Sequence, residues 1–217
     1  MRNTPGVSRN FAPPSGHAVV FDVGGVVLDW DPRHLFSDVI SDDETREWFL
    51  REVCPPAWNL RQDEGRTWAE AVAEAIGRYP EHESWIRTYD ERWIETIGGV
   101  DHEVIALGRE LRSRGTPVYA LTNYSAEKWV LSRDHVDALS EFDGVVVSGE
   151  ERVAKPDERI YRTLLDRYGL TPERTFFTDD VPANVAAARA VGIDAELFVD
   201  ATSLRSHLAD RGLLATH

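Results

Sequence analysis

Five short apolar runs most narrow what this chain can fold into. They cover residues 18–22, 117–122, 144–148, 175–178 and 195–199. Each is short and rich in β-branched or aromatic residues, as strands covered on both faces must be. Helical sequence lies between them. Val104, Leu107 and Leu111 form an apolar stripe that stops at Arg114-Gly115, a good helix terminus. Pro182 stands where a helix would begin, and Ala186, Ala187, Ala188 and Ala190 are strong helix formers. Strands alternating with helices imply an α/β fold: a doubly wound parallel sheet in three layers.

Residues 31–98 break this alternation and carry no strand signal. Trp68, Val72, Ala75, Ile76 and Tyr79 recur with a helical period, and Trp85, Ile86, Tyr89 and Trp93 do so similarly. Five of the seven tryptophans lie in this stretch, which suits the packing of a small helical lobe. Residues 27–32 are the expected outgoing hinge and Gly98-Gly99 the return. The expected organisation is a tail (1–16), a core (17–30 and 99–217) and a small α-helical domain (31–98).

With 217 residues and 42% hydrophobic content, the chain can build one full core and a second lobe. The formal net charge of −14 argues against nucleic acid and anionic membranes, which need a basic footprint. An anionic substrate would have to be attracted by local charge. No run is long and apolar enough to span a bilayer. Residues 1–16 lack an apolar signal core and read as a tail. The single cysteine, Cys54, cannot form an intrachain disulfide and reads as a half-buried small residue away from any motif. A reducing cytoplasm fits. The seven histidines are scattered without ligand-like spacing.

The chemistry gathers where strands end. The first run stops at Asp22 and opens into Val23-Gly24-Gly25. That places a carboxylate at the carboxyl edge of a sheet, where open α/β folds bind ligands. Glycines there let backbone N–H groups approach an anion. For this segment alone, a turn-forming strand end is an equally good account. Three later segments break the tie. One run ends in Thr122-Asn123. Lys155 precedes a helix with Ile160, Leu164, Leu165 and Tyr168 on its apolar face. A third run ends in Asp179-Asp180, ahead of Pro182 and Asn184.

Nucleophile, hydroxyl, lysine and acid pair, in that order, resemble the four motifs of the haloacid dehalogenase-like (HAD) hydrolase superfamily, from about His17 to the C-terminus. The resemblance implies a Rossmann-like core and, in residues 31–98, a helical cap. It implies that Asp22 attacks phosphorus to give an aspartyl-phosphate, with Lys155 neutralising the transferred group. Thr122 and the Asn123 backbone N–H would bind phosphoryl oxygens. Mg²⁺ would be held by Asp22, Asp180 and the Gly24 carbonyl, with Asp179 acting through water; hard oxygen ligands suit this ion. Asn184 would tie the last motif loop together. The segment from Pro56 to Thr67 resembles the cap loop that reaches the site, making Trp58, Asn59 and Arg61 the candidates for touching the leaving group.

Gly24 departs from the usual phosphatase pattern, which has a general-acid Asp two residues after the nucleophile. The run Phe21–Asp29 looks most like the sugar-1-phosphate phosphatase branch, which has glycine there. Asp29 or Asp31 could substitute as the acid. The expected function is a Mg²⁺-dependent phosphohydrolase acting on a small phosphometabolite, such as a sugar phosphate. One alternative is a 2-haloacid dehalogenase using Asp22 on carbon. Another is a HAD-fold binding or regulatory module with little turnover.

Overall fold

The computed structural model describes residues 16–215. The expected tail, apart from Gly16, lies outside them. In chain order the strands are β1 (Ala18–Phe21), β2 (Leu28–Trp30), β3 (Ile97–Val100), β4 (Val118–Thr122), β5 (Gly144–Val147), β6 (Thr175–Asp179) and β7 (Asp194–Leu197). Five of them form one parallel sheet in the order β5-β4-β1-β6-β7. These are the five expected strands, with ends shifted by two residues at most.

The helices are α1 (Pro32–Val39), α2 (Asp43–Trp48), α3 (Pro56–Asp63), α4 (Trp68–Arg78), α5 (Glu83–Glu91) and α6 (His102–Ser113). They continue with α7 (Ala126–His135), α8 (Ser148–Glu151), α9 (Glu158–Tyr168), α10 (Pro182–Ala190) and α11 (Ala201–Asp210). Strand side chains alternate between faces, so β1 feeds two cores. Val19 and Phe21 pack with Leu107 and Leu111 of α6, while Ala18 and Val20 pack with Ile160 and Leu164 of α9. Burying each such Val or Leu contributes about 1.5–3 kcal/mol. The central strand is thereby held from both sides, and its carboxyl end is a fixed platform.

Two sequence expectations need correction. The two hinge segments are strands: β2 and β3 pair antiparallel, Leu28 opposite Val100 and Asp29 opposite Gly99. The ribbon is short, its register shifts between Asp29 and Trp30, and it contains two glycines, so it carries little strand signal in sequence. The second correction is α3, which replaces the expected loop. Pro56 begins it; proline suits a helix start because its missing N–H has no intrahelical partner there anyway. Gly65, at φ +96°, turns the chain after it.

The helices α1 to α5 share an aromatic cluster with the core. Trp68 packs against Trp58 (5.5 Å between ring centroids), Tyr89 (5.4 Å) and Trp93 (5.1 Å). Trp93 in turn meets Tyr124, which follows β4, at 6.0 Å. Polar ties reinforce the stack. Trp68 Nε1 donates to Ser125 Oγ at 3.0 Å, and the buried Lys128 ammonium donates to the Asp90 carbonyl at 2.8 Å. Lys128 also lies 4.5 Å from the Trp68 ring centre, where the electron-rich face attracts a cation.

Candidate active site

Register assembles the site. Phe21 lies opposite Thr178 on β6 and Ala120 on β4, so the residues that end the three strands become neighbours. Asp22 N–H donates to the Thr178 carbonyl at 2.9 Å. The loop after Asp22 then closes on itself: Val27 and Leu28 N–H both donate to the Val23 carbonyl at 2.8 Å. Gly25 has φ +77°, and a Cβ there would stand 2.4 Å from Asp180 Oδ2. Only glycine fits that turn without strain. Gly24 is different, because a Cβ there would meet nothing within 4 Å. Its lack of a side chain is not a steric necessity.

Lys155 is the hub. Its ammonium lies 2.7 Å from Asp22 Oδ1 and 2.7 Å from Asp179 Oδ2, and donates to the Leu121 carbonyl at 2.9 Å. The Asn123 side chain clasps the Lys155 backbone, accepting from its N–H at 2.8 Å and donating to its carbonyl at 3.0 Å. Asp179 is fully buried and also accepts from Val181 N–H at 2.8 Å and from Asn184 Nδ2 at 3.0 Å. Asn184 is in turn held through its carbonyl by the Tyr161 hydroxyl at 2.8 Å. Thr122 is buried at the end of β4, and its hydroxyl oxygen finds no partner among the described residues.

The charges do not balance. Asp22, Asp179 and Asp180 offer oxygens all within 4.8 Å of one another. One ammonium faces three carboxylates. Burial raises the Asp22 carboxyl to about 7; the Lys155 charge opposes that rise and the Asp179 charge adds to it. Burial alone would lower Lys155, but the adjacent Asp22 and Asp179 outweigh it and hold the ammonium above the ordinary lysine range. An excess of negative charge on hard oxygens at a buried strand edge is a donor set that suits a divalent cation such as Mg²⁺.

A cavity of about 1040 Å³ opens above this cluster. Asp22, Gly24, Asn123, Lys155, Asp180 and Asn184 form its polar end. Trp30, Leu50, Ala57, Leu60 and Tyr89 supply apolar wall. Of the three residues expected to reach the leaving group, only Asn59 lines it. Trp58 is buried in the aromatic cluster, and Arg61 pairs with Glu74 at 3.0 Å. Residues 56–63 are helical, so their side chains separate onto faces and only one of the three reaches the cavity. Cys54, expected to be remote, lines the cavity, but burial pushes its thiol up to about 12, so it is no nucleophile at neutral pH. Asp63 also lines the cavity and was not foreseen. In sequence it stands in the charged string Arg61-Gln62-Asp63-Glu64, which reads as a solvated turn. Its i+4 spacing from Asn59 is informative only once the helix is known.

The four sequence motifs thus converge at one sheet edge, and the profile of the haloacid dehalogenase-like hydrolases matches residues 17–192. The chain belongs to that family. Among HAD relatives, it is 29% identical over 182 residues to the sesquiterpene phosphatase astK of Aspergillus oryzae, covering 81% of this chain and 86% of that protein. It is 23% identical over 183 residues to a phosphorylated carbohydrates phosphatase of Thermotoga maritima, covering 82% of each. The fold superposes on a magnesium complex of the HAD family enzyme bt-2542 from Bacteroides thetaiotaomicron with a TM-score of 0.68. That match is at 22% identity and covers 88% of this chain and 97% of the other. The protein is therefore a HAD-like hydrolase with phosphatase relatives. Among the described residues, no helix is long and apolar enough to cross a membrane.

Proposed function

We propose that this HAD hydrolase is a Mg²⁺-dependent phosphomonoesterase that works through a phosphorylated Asp22. One observation carries the reading: Asp22 and Lys155 are 2.7 Å apart beside two further carboxylates, with an unpartnered Thr122 hydroxyl at the end of the adjoining strand. Asp22 attacks phosphorus, and the leaving group departs from the opposite side. Lys155 holds the nucleophile in place and offsets charge on the transferred group. Thr122 Oγ1 and Asn123 N–H donate to phosphoryl oxygens. Water then attacks phosphorus and regenerates Asp22. Asp22, Asp180 and the Gly24 carbonyl would hold Mg²⁺, with Asp179 acting through a bound water. When bound, the ion supplies the positive charge that lets an anionic nucleophile approach a phosphate dianion.

Residues 31–98 act, in this reading, as a cap that contributes the leaving-group end of the cavity. Its apolar wall favours a phosphometabolite with an apolar face. A fully hydroxylated sugar phosphate would need a hydrogen-bond partner for every buried hydroxyl. Asp179 and Asp180 speak against the carbon-attacking alternative, which has no use for a carboxylate cluster.

The test is phosphate release across a panel of phosphomonoesters, with Mg²⁺ and with a chelator. Release should vanish with chelator and return with Mg²⁺. Beryllofluoride should bind at Asp22 in the presence of Mg²⁺. Chloride release from a 2-haloacid in chelator, with no phosphate released from any ester, would overturn the reading.

A further inference from the structure

A phosphomonoesterase of this kind must protonate the leaving oxygen, and Gly24 cannot. The nearby acids proposed from sequence are committed elsewhere. Asp29 pairs with His34 Nε2 at 3.1 Å, its side chain is 66% exposed, and it does not line the cavity. Asp31 lines the cavity but caps α1 through the Arg33 N–H at 2.8 Å and pairs with the Arg33 guanidinium. Glu47, also in the wall, is gripped by Arg33 at 2.7 and 2.8 Å. The Arg33 hydrogen bond holds the Glu47 carboxyl below the ordinary range, so it has little proton to give.

Asp63 makes no ion pair among the described residues. It ends α3, is 8% exposed, and lines the same cavity as Asp22, Gly24 and Lys155. Its carboxyl lies close to the Ser125 backbone N–H. Asn59 Nδ2 lies 3.4 Å from Asp63 Oδ2, while Asn59 Oδ1 is buried without a partner among the described residues. Amide orientation is assigned from its surroundings. Turning this amide over would give its oxygen a donor, provided Asp63 carries a proton.

We propose that Asp63 is the proton donor for the leaving group, supplied from α3 in place of the acid missing at Gly24. The proposal rests on the phosphatase reading above. As the bond between phosphorus and the ester oxygen breaks, its electron pair goes to that oxygen, which takes the Asp63 proton. A bond forms between Asp22 and phosphorus. The products are an alcohol, phosphorylated Asp22 and an Asp63 carboxylate. In the second half, Asp63 takes a proton from the attacking water, phosphorus leaves Asp22, and both carboxyls return to their starting states. The environment suits that cycle. Burial, then the charge of neighbouring Glu64, raises the Asp63 carboxyl to about 8, against the opposing pull of Lys155 and Ser125 N–H and with a small further rise from Asp22.

The experiment compares esters of graded leaving-group acidity on the full chain with Mg²⁺. In the unmodified enzyme, kcat/KM should depend only weakly on leaving-group pKa. A steep fall toward alkyl esters would overturn the proposal without any variant. Asp63→Asn keeps the size and polarity of the side chain but removes the acid. It should lower kcat/KM for an alkyl phosphate on the order of 10²–10⁴-fold, the usual contribution of general acid catalysis. Turnover of p-nitrophenyl phosphate, whose leaving group needs little proton assistance, should fall much less. Gly24→Asp, added to Asp63→Asn, should restore alkyl ester turnover, because position 24 has room for a side chain. An equal loss on both esters would make Asp63 a structural tie and overturn the proposal alone. No phosphate release from any ester by the unmodified enzyme would overturn the phosphatase reading together with it.

Discussion

Lys155 Nζ lies 2.7 Å from Asp22 Oδ1, and only 1% of the lysine side chain is exposed. Removing one partner of such a buried pair strands the other charge, which costs about 3–5 kcal/mol. Lys155→Met should therefore lower stability by that order as well as abolish phosphate release. Lys155→Arg should restore neither, because a planar fork cannot replace a point charge shared by two carboxylates and the Leu121 carbonyl. Thermal melts and phosphate-release assays on the two variants check both expectations.

Metal binding should be visible without turnover. Mg²⁺ that binds only the folded state stabilises it by about 2.7 kcal/mol at a concentration 100 times the Kd, so the melting temperature should rise with Mg²⁺. Asp180 is exposed at the edge of the cluster. Asp180→Asn should leave the metal-free melt nearly unchanged. It should raise the Mg²⁺ concentration needed for the shift by at least about tenfold, as loss of an ordinary outer-shell partner already does.

The two glycines after the nucleophile should behave oppositely. Gly25→Ala puts a side chain at φ +77° and against Asp180. The backbone conformation alone costs roughly 1–2 kcal/mol, and displacing Asp180 should weaken Mg²⁺ binding as well. Gly24→Ala meets open space and should change stability by no more than about 1 kcal/mol. Denaturant melts of the pair would show it. Equal destabilisation would contradict the loop geometry described above.

Asp63 also has a signature in stability. Its carboxyl titrates at about 8 in the fold against 3.8 ordinarily. Between those values the folded chain holds a proton that the unfolded chain has lost, so stability falls as pH rises, by up to about 1.4 kcal/mol per pH unit. The stabilisation is complete below pH 3.8 and gone above about 8. Asp63→Asn should remove this share of the decline and leave the share that the raised Asp22 carboxyl contributes. The variant should gain stability over the parent progressively from pH 4 to pH 8, measured by urea melts across that range in chelator.

The sheet was legible because its central strands are covered on both faces, so β1 reads as an unbroken apolar run from Ala18 to Phe21 and β6 carries Phe176 and Phe177 between threonines. The four motif segments were legible because strand ends and helix starts carry their own punctuation. What escaped depends on packing across long sequence distances. Asp63 looks like one more charge in a charged string, and its burial arises only once α3 packs against α4 and, far along the chain, α8. Trp58 looked like a substrate contact, but an aromatic in a helix goes to whichever face its neighbours fill, here the cluster with Trp68 and Tyr89. The β2–β3 ribbon was hidden because pairing, not composition, makes it a strand pair.

That ribbon has an architectural consequence. The chain leaves the sheet side for the helical segment and comes back through two strands hydrogen-bonded side by side, Leu28 facing Val100. The doorway has the same width whatever lies beyond it. Closing a longer or shorter excursion across a gap of fixed size changes the entropy only slowly, by about 0.6 kcal/mol for each doubling of length. The helices between Trp30 and Ile97 could be replaced by a different set while β2 and β3 keep their pairing. A chimera that exchanged this segment would be joined at that threshold, and it would keep Asp22, Lys155 and Asp179 while exchanging Asp63.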